Sequence, residues 1–207
     1  VQGATARFLD IAAASAGDAG SYRVQVSNAA GSVWSANAAV QINDSVSARL
    51  VNMSVRAPLA TGEVMIPGFY LSGTASQTLL IRAVGPTLAS FAVANAHADP
   101  ALTLFSGQTA QHANDNWSAA ANADAIASTA RTLGAFSLPA DSLDAAMLVD
   151  LPPGGYTTHL TGVGGASGVV LFELYRGAEP QSRLINISAR GHAGTGASIM
   201  IPGFTIV

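Results

Sequence analysis

The chain of 207 residues is long enough for one large domain or two small ones, and its composition is that of a folded protein. Hydrophobic residues make up 49% and charged residues only 10% of the chain, whereas disordered chains combine low hydrophobicity with high net charge. All basic residues are arginine and the net charge is −3, so no basic patch is available to neutralise nucleic-acid phosphates. These values exclude disorder and argue against a nucleic-acid partner.

Cysteine is absent from the sequence, which removes disulfides, thiolate metal sites and thiol catalysis. No run of about 18 apolar residues occurs, so no membrane span is expected. The sequence begins at Val1 without the charged start and apolar core of a signal peptide, and we interpret it as part of a longer protein.

Short antiparallel strands are predicted in the first 44 residues. Apolar and polar residues alternate along residues 22–27, as they do in a half-buried strand. The turn residues 28–31 then lead into residues 32–35 and on to 40–42, which predicts a hairpin. A further strand is predicted at residues 6–11.

These residues carry a resemblance. The pattern is Leu9-x-Ile11, Asp18-x-Gly20-x-Tyr22-x-Val24 and Ser27-Asn28-x-x-Gly31. It resembles strands E, F and G of an I-set immunoglobulin domain, with Tyr22 at the tyrosine-corner position. Val24 stands where that family has the F-strand cysteine, and strands A to D have no counterpart. The half-sandwich that this implies is either a truncated domain or one completed by another chain or another part of this chain.

An internal repeat links two distant parts of the sequence. The phrase Arg-Leu-x-Asn-x-Ser-x-Arg at residues 49–56 returns at 183–190, and Met-Ile-Pro-Gly-Phe at 65–69 returns at 200–204 after one inserted residue. Each copy alternates apolar and polar residues and predicts a strand, a turn and a second strand. We expect residues 183–207 to be the opening strands of a further module in a longer parent protein.

The segment between the two copies is predicted to be rich in strands. Apolar runs predict strands at residues 78–84, 101–105, 145–149, 156–160 and 169–175. The alanine-rich residues 119–134 predict one short helix. Short strands separated by Gly and Pro indicate a sandwich or a jelly roll.

This segment carries a second resemblance. Its phrases are Leu102-x-Leu104, Asn114-Asp115-Asn116-Trp117, Leu151-Pro152-x-Gly154-x-Tyr156-x-x-x-Leu160 and Gly168-x-x-x-x-x-Leu174. They are similar to bacterial pre-peptidase C-terminal-type β-sandwich domains, and residues 49–207 as a whole resemble a repeated module of large secreted bacterial surface proteins. The resemblance implies an extracellular location at the cell surface and is nearly silent on activity.

One loop gathers residues that could bind a ligand. Asn114, Asp115, Asn116 and Asp124, with Asp99 as a further member, offer the hard oxygen atoms that Ca²⁺ prefers. Such residues also form turns and helix caps, which is the interpretation we favour. Trp117, beside the loop, is either a stacking platform for a sugar or, as we favour, a lid on the core.

The sequence offers little for catalysis. The glycine-rich residues 162–168 run into a predicted strand, whereas a phosphate-binding loop needs a helix there. The four histidines lack metal-ligand spacing, and no Gly-x-Ser-x-Gly motif occurs. The histidines are His97, His112, His159 and His192. We therefore expect no enzyme and, calcium aside, no cofactor.

Together these patterns predict an all-β chain: a partial Ig-like sandwich (1–44), a jelly-roll-like β-sandwich with one short helix (45–182), and the opening strands of a repeated module (183–207). We expect a structural subunit of a surface fibre, sheath or adhesin assembled by inter-chain strand completion. Its expected partners are other copies, by head-to-tail self-association, or neighbouring modules of the same parent protein. The residues expected in that joint are Tyr22, Val24, Trp34, Ile185, Ile187, Met200, Ile201 and Phe204. The alternative is a carbohydrate-binding or targeting module of a secreted enzyme, with Trp117 in its binding surface.

Overall fold

The computed structural model describes residues 5–6, 9, 11, 15–42, 48–179 and 181–207. The chain divides into two compact units, Val1–Ser47 and Ala48–Val207. The described residues form fourteen strands and one short α-helix, which confirms the all-β prediction. No helix in this part of the chain is long and apolar enough to cross a membrane.

Four short strands form the first unit. They are β1 (Gly20–Tyr22), β2 (Gln25–Asn28), β3 (Gly31–Trp34) and β4 (Ala38–Val40). β2 pairs with β3 and β1 with β4, both antiparallel, so the predicted hairpin is present. Of the strand predicted at residues 6–11, the described residues 6, 9 and 11 are not in a strand, and the others lie outside the described residues.

The described residues of the first unit include no buried side chain. Val26 and Val33, directly opposite each other on β2 and β3, are 67% and 72% exposed. An antiparallel hairpin with a bare apolar face is only marginally stable by itself. The described part of this unit therefore has no core of its own.

The second unit contains the remaining strands and the helix. They are β5 (Leu50–Leu59), β6 (Ile66–Gly73), β7 (Gln77–Val84), β8 (Pro100–Ser106), β9 (Thr109–Asn114), α1 (Ala123–Thr132), β10 (Ala145–Leu151), β11 (Gly154–Gly162), β12 (Gly168–Arg176), β13 (Ser182–Arg190) and β14 (Ile201–Ile206). A short 3₁₀ helix, Pro86–Phe91, follows β7.

These strands form two layers of a β-sandwich-like fold. The strands belong to one continuous sheet, which folds over where β5 and β13 pair only at Leu50 and Leu184. One layer has the order β10-β7-β12-β5-β14 and the other the order β13-β6-β11-β8-β9. The main core lies between them because alternate residues of each layer point inward, such as Val55 and Phe172 from the first layer and Phe69 and Leu104 from the second. Phe172 is fully buried at the centre of its layer, between Val55 and Ala83.

A smaller core lies on the outer face of β7 and β10. Leu80 and Ala146 point away from the main core and are covered by α1 through Ile126 and Ala130. The helix ends at Thr132, and Gly134 just beyond it has a φ of +74°, the left-handed conformation that glycine adopts freely after a helix C-terminus. The observed helix is shorter than the predicted residues 119–134.

Two features were not anticipated from the sequence. β9 is an almost fully exposed edge strand without an apolar alternation, and no strand was predicted there. Residues 183–207, assigned above to a following module, lie in the same unit as residues 48–179, because β13 pairs with β6 and β14 with β5.

Candidate functional site: the open edge between β13 and β14

β13 and β14 leave one side of the sandwich open. In the described residues, β14 pairs only with β5, and β13 pairs with β6 along its length but with β5 only at Leu184 and Leu50. The opposite side is joined, since the side-chain Oδ1 of Asn114 in β9 accepts a hydrogen bond from the backbone N–H of Ala146 in β10 at 2.9 Å. We call the side between β13 and β14 the open edge.

The open edge exposes an apolar surface. A groove of about 430 Å³ lies between the two strands and is lined largely by apolar side chains. The lining includes Leu50, Leu184, Ile185, Ile187, Phe204 and Ile206. Three of these are strongly exposed: Ile185 at 58%, Phe204 at 64% and Ile206 at 56%. Contiguous apolar surface of this kind marks an interaction site in proteins that are stable in water.

The repeat explains how the two strands reach this position. β5 and β6 come from the first copy of the repeat and β13 and β14 from the second, yet neither copy pairs its own two strands. The first strand of each copy pairs with the second strand of the other, so β5 pairs with β14 and β13 with β6. The two copies therefore exchange strands within one chain.

The exchange is reciprocal residue by residue. β5 and β14 pair as Arg56 with Ile201, Val55 with Pro202, Ser54 with Gly203, Met53 with Phe204 and Asn52 with Thr205. β13 and β6 pair as Arg190 with Ile66, Ala189 with Pro67, Ser188 with Gly68, Ile187 with Phe69 and Asn186 with Tyr70. Every pair in one set occupies the repeat positions of a pair in the other. The two copies are therefore related by an approximate two-fold rotation.

Two irregular features follow the same symmetry. The register shifts at Val51 in β5 and at Ile185 in β13, which are the same position of the repeat. Leu50 and Leu184, also equivalent, pair with each other as residues beside a two-fold axis must. Matching bulges show that the symmetry extends to the detailed path of the backbone.

A serine faces a glycine in both paired sets. A Cβ atom built on Gly203 would lie 2.9 Å from Ser54 Oγ, and one built on Gly68 would lie 2.8 Å from Ser188 Oγ. Glycine is thus favoured at both positions by the same cross-strand neighbour. Each serine can relieve a clash only by rotating its side chain, which limits the cost of a substitution.

The substitution Gly203→Ala tests this register. We expect Gly203→Ala and Ser54→Ala to couple by about 0.5–1 kcal/mol, because removing the Ser54 hydroxyl makes room for the new methyl group. The measurement is a double-mutant cycle from chemical denaturation. Ser188→Ala is the matched control and should not couple to Gly203→Ala, while it should couple to Gly68→Ala. Equal coupling of Gly203→Ala to both serines would contradict the observed pairing.

Equivalent residues of the two copies differ sharply in burial. Phe69 is 3% exposed but its equivalent Phe204 is 64% exposed, and Leu71 is fully buried but its equivalent Ile206 is 56% exposed. The difference arises because the outer edges of β5 and β6 are covered by β12 and β11. The corresponding edges of β13 and β14 carry no such strands among the described residues.

The residues expected in a joint fall into two groups. Ile185 and Phe204 are exposed in the groove, and Ile201 is exposed outside it, in a separate cavity beside Phe91. Ile187 and Met200 are half-buried against the main core. The groove residues Leu50 and Ile206 were missed, although Ile206 occupies the repeat position of buried Leu71. Position in the repeat was the signal that could have identified it.

The other expected joint residues lie in the first unit. The Tyr22 hydroxyl donates to the backbone oxygen of Asp18 at 2.8 Å, which is the hydrogen bond of a tyrosine corner. Val24 is 59% and Trp34 49% exposed, and the Arg23 guanidinium lies 4.1 Å from the centre of the Trp34 ring. These side chains provide an exposed apolar surface on the first unit.

The candidate calcium ligands are divided between the turn after β9, which contains Asp115 and Asn116, and helix α1. The Asn114 side chain donates to the backbone oxygen of Asn116 at 3.1 Å while its oxygen accepts from Ala146. Asp124 lies in the first turn of α1. In the part of the chain that the structure describes, no three His, Asp or Glu side chains are grouped to hold a metal ion.

Asp99 lies near both Asp115 and His97. Burial and the negative charge of Asp115 raise the pKa of Asp99, and the charge of His97 opposes this. Burial lowers the pKa of His97, whose ring Nδ1 accepts a hydrogen bond from the Asp99 backbone N–H at 3.1 Å. A neutral imidazole is required for that bond, so His97 has a structural role in fixing this loop.

Trp117 is buried rather than presented to a ligand. It is 8% exposed, packs in the smaller core beside α1, and donates its Nε1–H to the backbone oxygen of Pro139 at 2.9 Å. With so little of its surface exposed, Trp117 offers no platform on which a sugar ring could stack.

The open edge is therefore the most distinctive surface of the second unit, and it is defined by backbone pairing and apolar side chains rather than by reactive groups. Comparison with known proteins identifies no family, because no family model, curated protein or solved structure matches the chain.

Proposed function

We propose that this chain is a non-catalytic structural module that joins its neighbours by strand completion at the open edge. The observation that carries the proposal is that, among the described residues, the outer edge of β14 is unpaired and that of β13 pairs only at Leu184, beside an exposed apolar groove. Strands added there would make backbone hydrogen bonds, and their side chains would fill the groove. The joined assembly is a surface fibre, sheath or adhesin, in the extracellular setting that the resemblance of the sequence phrases implies.

The exposed side chains supply the driving force. Six of the eleven large apolar side chains that are exposed in the described part of residues 48–207 belong to residues 183–207. Three of the six, Ile185, Phe204 and Ile206, line the groove of the open edge. Complete burial of a side chain of this size contributes about 1.5–3 kcal/mol, so covering these three favours association.

The first unit supports the same function. Its described residues have no core, and Val26, Val33 and Trp34 are exposed on its hairpin. A partner that adds strands to this hairpin would supply the missing apolar layer, as the resemblance to half of an Ig-like sandwich implies. The described residues of both units therefore present apolar β-structure that a neighbour could cover.

The proposal predicts self-association that depends on the open edge. The chain is expected to form dimers or larger species as its concentration rises, and Phe204→Lys is expected to weaken this association by at least about tenfold. The reason is that a lysine ammonium replaces an exposed ring that association would bury. Sedimentation velocity over a range of protein concentrations measures the effect.

Tyr70→Lys is the matched control for this experiment. Tyr70 is an aromatic residue with 47% exposure on β6, but its neighbours Phe69 and Leu71 are buried, so its ring points to the outer face, away from the groove. Association should be unchanged in this variant. A wild-type chain that remains monomeric at all concentrations, or equal weakening by both substitutions, would overturn the proposal.

A further inference from the structure

The approximate two-fold symmetry predicts which strands would cover the open edge. β5 has β14 on one edge and β12 on the other, and β6 has β13 on one edge and β11 on the other. β13 is the repeat equivalent of β5, and β14 of β6. The symmetry therefore assigns a β12-type strand to the free edge of β13 and a β11-type strand to the free edge of β14.

We infer that the open edge is filled by the β11-type and β12-type strands of a second β7–β12 segment that follows β14 in the same polypeptide. This inference rests on the proposed strand completion and names its occupant. β13 and β14 would then belong to two modules, as the last strands of the first and the first strands of the second. The four repeat strands form the shared centre of a two-module unit.

The contacts of the first module specify the register of the second. β11 pairs with β6 so that Tyr156 lies opposite Phe69, with ring centres 5.5 Å apart, and Gly155 lies opposite Tyr70. The equivalent strand would place a tyrosine opposite Phe204 and a glycine opposite Thr205. Phe204 would thereby gain the neighbour that buries Phe69.

The second incoming strand is specified in the same way. β12 pairs with β5 so that Leu174 lies opposite Met53 and Phe172 opposite Val55. The equivalent strand on β13 would place a leucine opposite Ile187 and a phenylalanine opposite Ala189. Both of these β13 residues are half-buried at present and already face the main core.

The completed arrangement has no open edge between the modules. One layer would run from β10 through β5 and β14 into the β11-type strand, and the other from β9 through β6 and β13 into the β12-type strand. Two modules related by a two-fold axis form a closed pair, whereas head-to-tail contacts that do not close form a filament. Growth of an assembly beyond the pair would then use other surfaces, such as the hairpin of the first unit.

The absence of cysteine makes the register measurable by cross-linking. For this test the chain is extended by a second copy of residues 73–182, joined directly after Val207. Val207 is the point of attachment because it occupies the repeat position of Ser72. Thr205→Cys in the first copy is combined with Gly155→Cys in the added segment. The reference is the chain of 207 residues with Tyr70→Cys and Gly155→Cys, a pair whose residues lie directly opposite in the structure.

We expect the extended chain to be monomeric and to form the disulfide within one molecule as completely as the reference chain does. The off-register control combines Thr205→Cys with Thr161→Cys of the added segment and should not cross-link within the molecule. Loss of the cross-link where the reference pair still forms, equal cross-linking off register, or cross-linking only between molecules would overturn the inference.

The result is separable from the test of the proposed function. If the unextended chain associates through Phe204 but the extended chain does not cross-link in register, the inferred occupant is wrong and strand completion between chains stands. If the extended chain cross-links in register but the unextended chain stays monomeric, assembly between chains is wrong and the inferred pairing stands.

Discussion

The substitution Arg82→Ala is expected to lower the free energy of unfolding by about 3–5 kcal/mol. The Arg82 side chain is almost completely buried, and its Nε and Nη2 groups both donate to Glu173 Oε2. Its Nη1 donates to the backbone oxygen of Phe136, and the Tyr175 hydroxyl donates to Glu173 Oε1 at 2.8 Å. Removing the arginine leaves a buried carboxylate without its positive partner.

Chemical denaturation measures this loss, with Arg131→Ala as the control. Arg131 is an exposed arginine in the last turn of α1, and its removal should change stability by less than about 0.5 kcal/mol. The double substitution of Arg82 and Glu173 by apolar residues of similar size should recover much of the loss, because no unpaired charge remains. A loss below about 1 kcal/mol for Arg82→Ala would contradict the role assigned to this ion pair.

The substitution Asp144→Ala is expected to cost about 3 kcal/mol because it leaves several buried donors without an acceptor. Asp144 is fully buried, and its Oδ1 accepts from the backbone N–H of Gly85 at 2.7 Å. Its Oδ2 accepts from the hydroxyl of Thr87, which lies in the 3₁₀ helix after β7. The carboxylate thereby fixes the end of β7 to the start of β10.

The thermal midpoint and the denaturant midpoint both report this effect. Asp144→Asn keeps one acceptor oxygen and should lose less stability than Asp144→Ala. Asp141→Ala is the control, since Asp141 is exposed in the preceding turn. Equal stability of Asp144→Ala and Asp141→Ala would show that these hydrogen bonds contribute nothing net to the fold.

Most core strands could be predicted from the sequence because their side chains alternate. β5 and β13 show the alternation clearly. β13 lies within one residue of its predicted bounds, and β5 extends a few residues beyond its predicted end. β9 could not be predicted in this way, because the edge strand buries no side chain and is held mainly by backbone pairing with β8. Patterns of burial carry no signal for such a strand.

The pairing between the repeats could not be read from the sequence. The two copies have nearly the same phrases, so pairing within a copy and exchange between copies satisfy the same apolar alternation. Only the three-dimensional path of the chain decides between them, and it selects exchange. The same limit applies to Arg82, which lies within an apolar run and whose partner Glu173 is distant in the sequence.

The candidate site shows a similar division between what was and was not predictable. Ile185, Ile201 and Phe204 were expected in a joint because they are apolar residues of the second repeat, and all three are exposed in the structure. The location of the open edge at a side of the sandwich, rather than at a chain end, follows from the strand exchange. Residue patterns contain no information about that edge.

Hydrogen exchange of the backbone amides gives the most direct test of the open edge. In the chain at low concentration, we expect the outward amides of β13 and β14 to exchange quickly while those of β5 and β6 remain protected, and we expect protection of β13 and β14 to rise with concentration. Equal and strong protection of all four strands in a monomeric sample would show that no free strand edge exists, and would contradict the account.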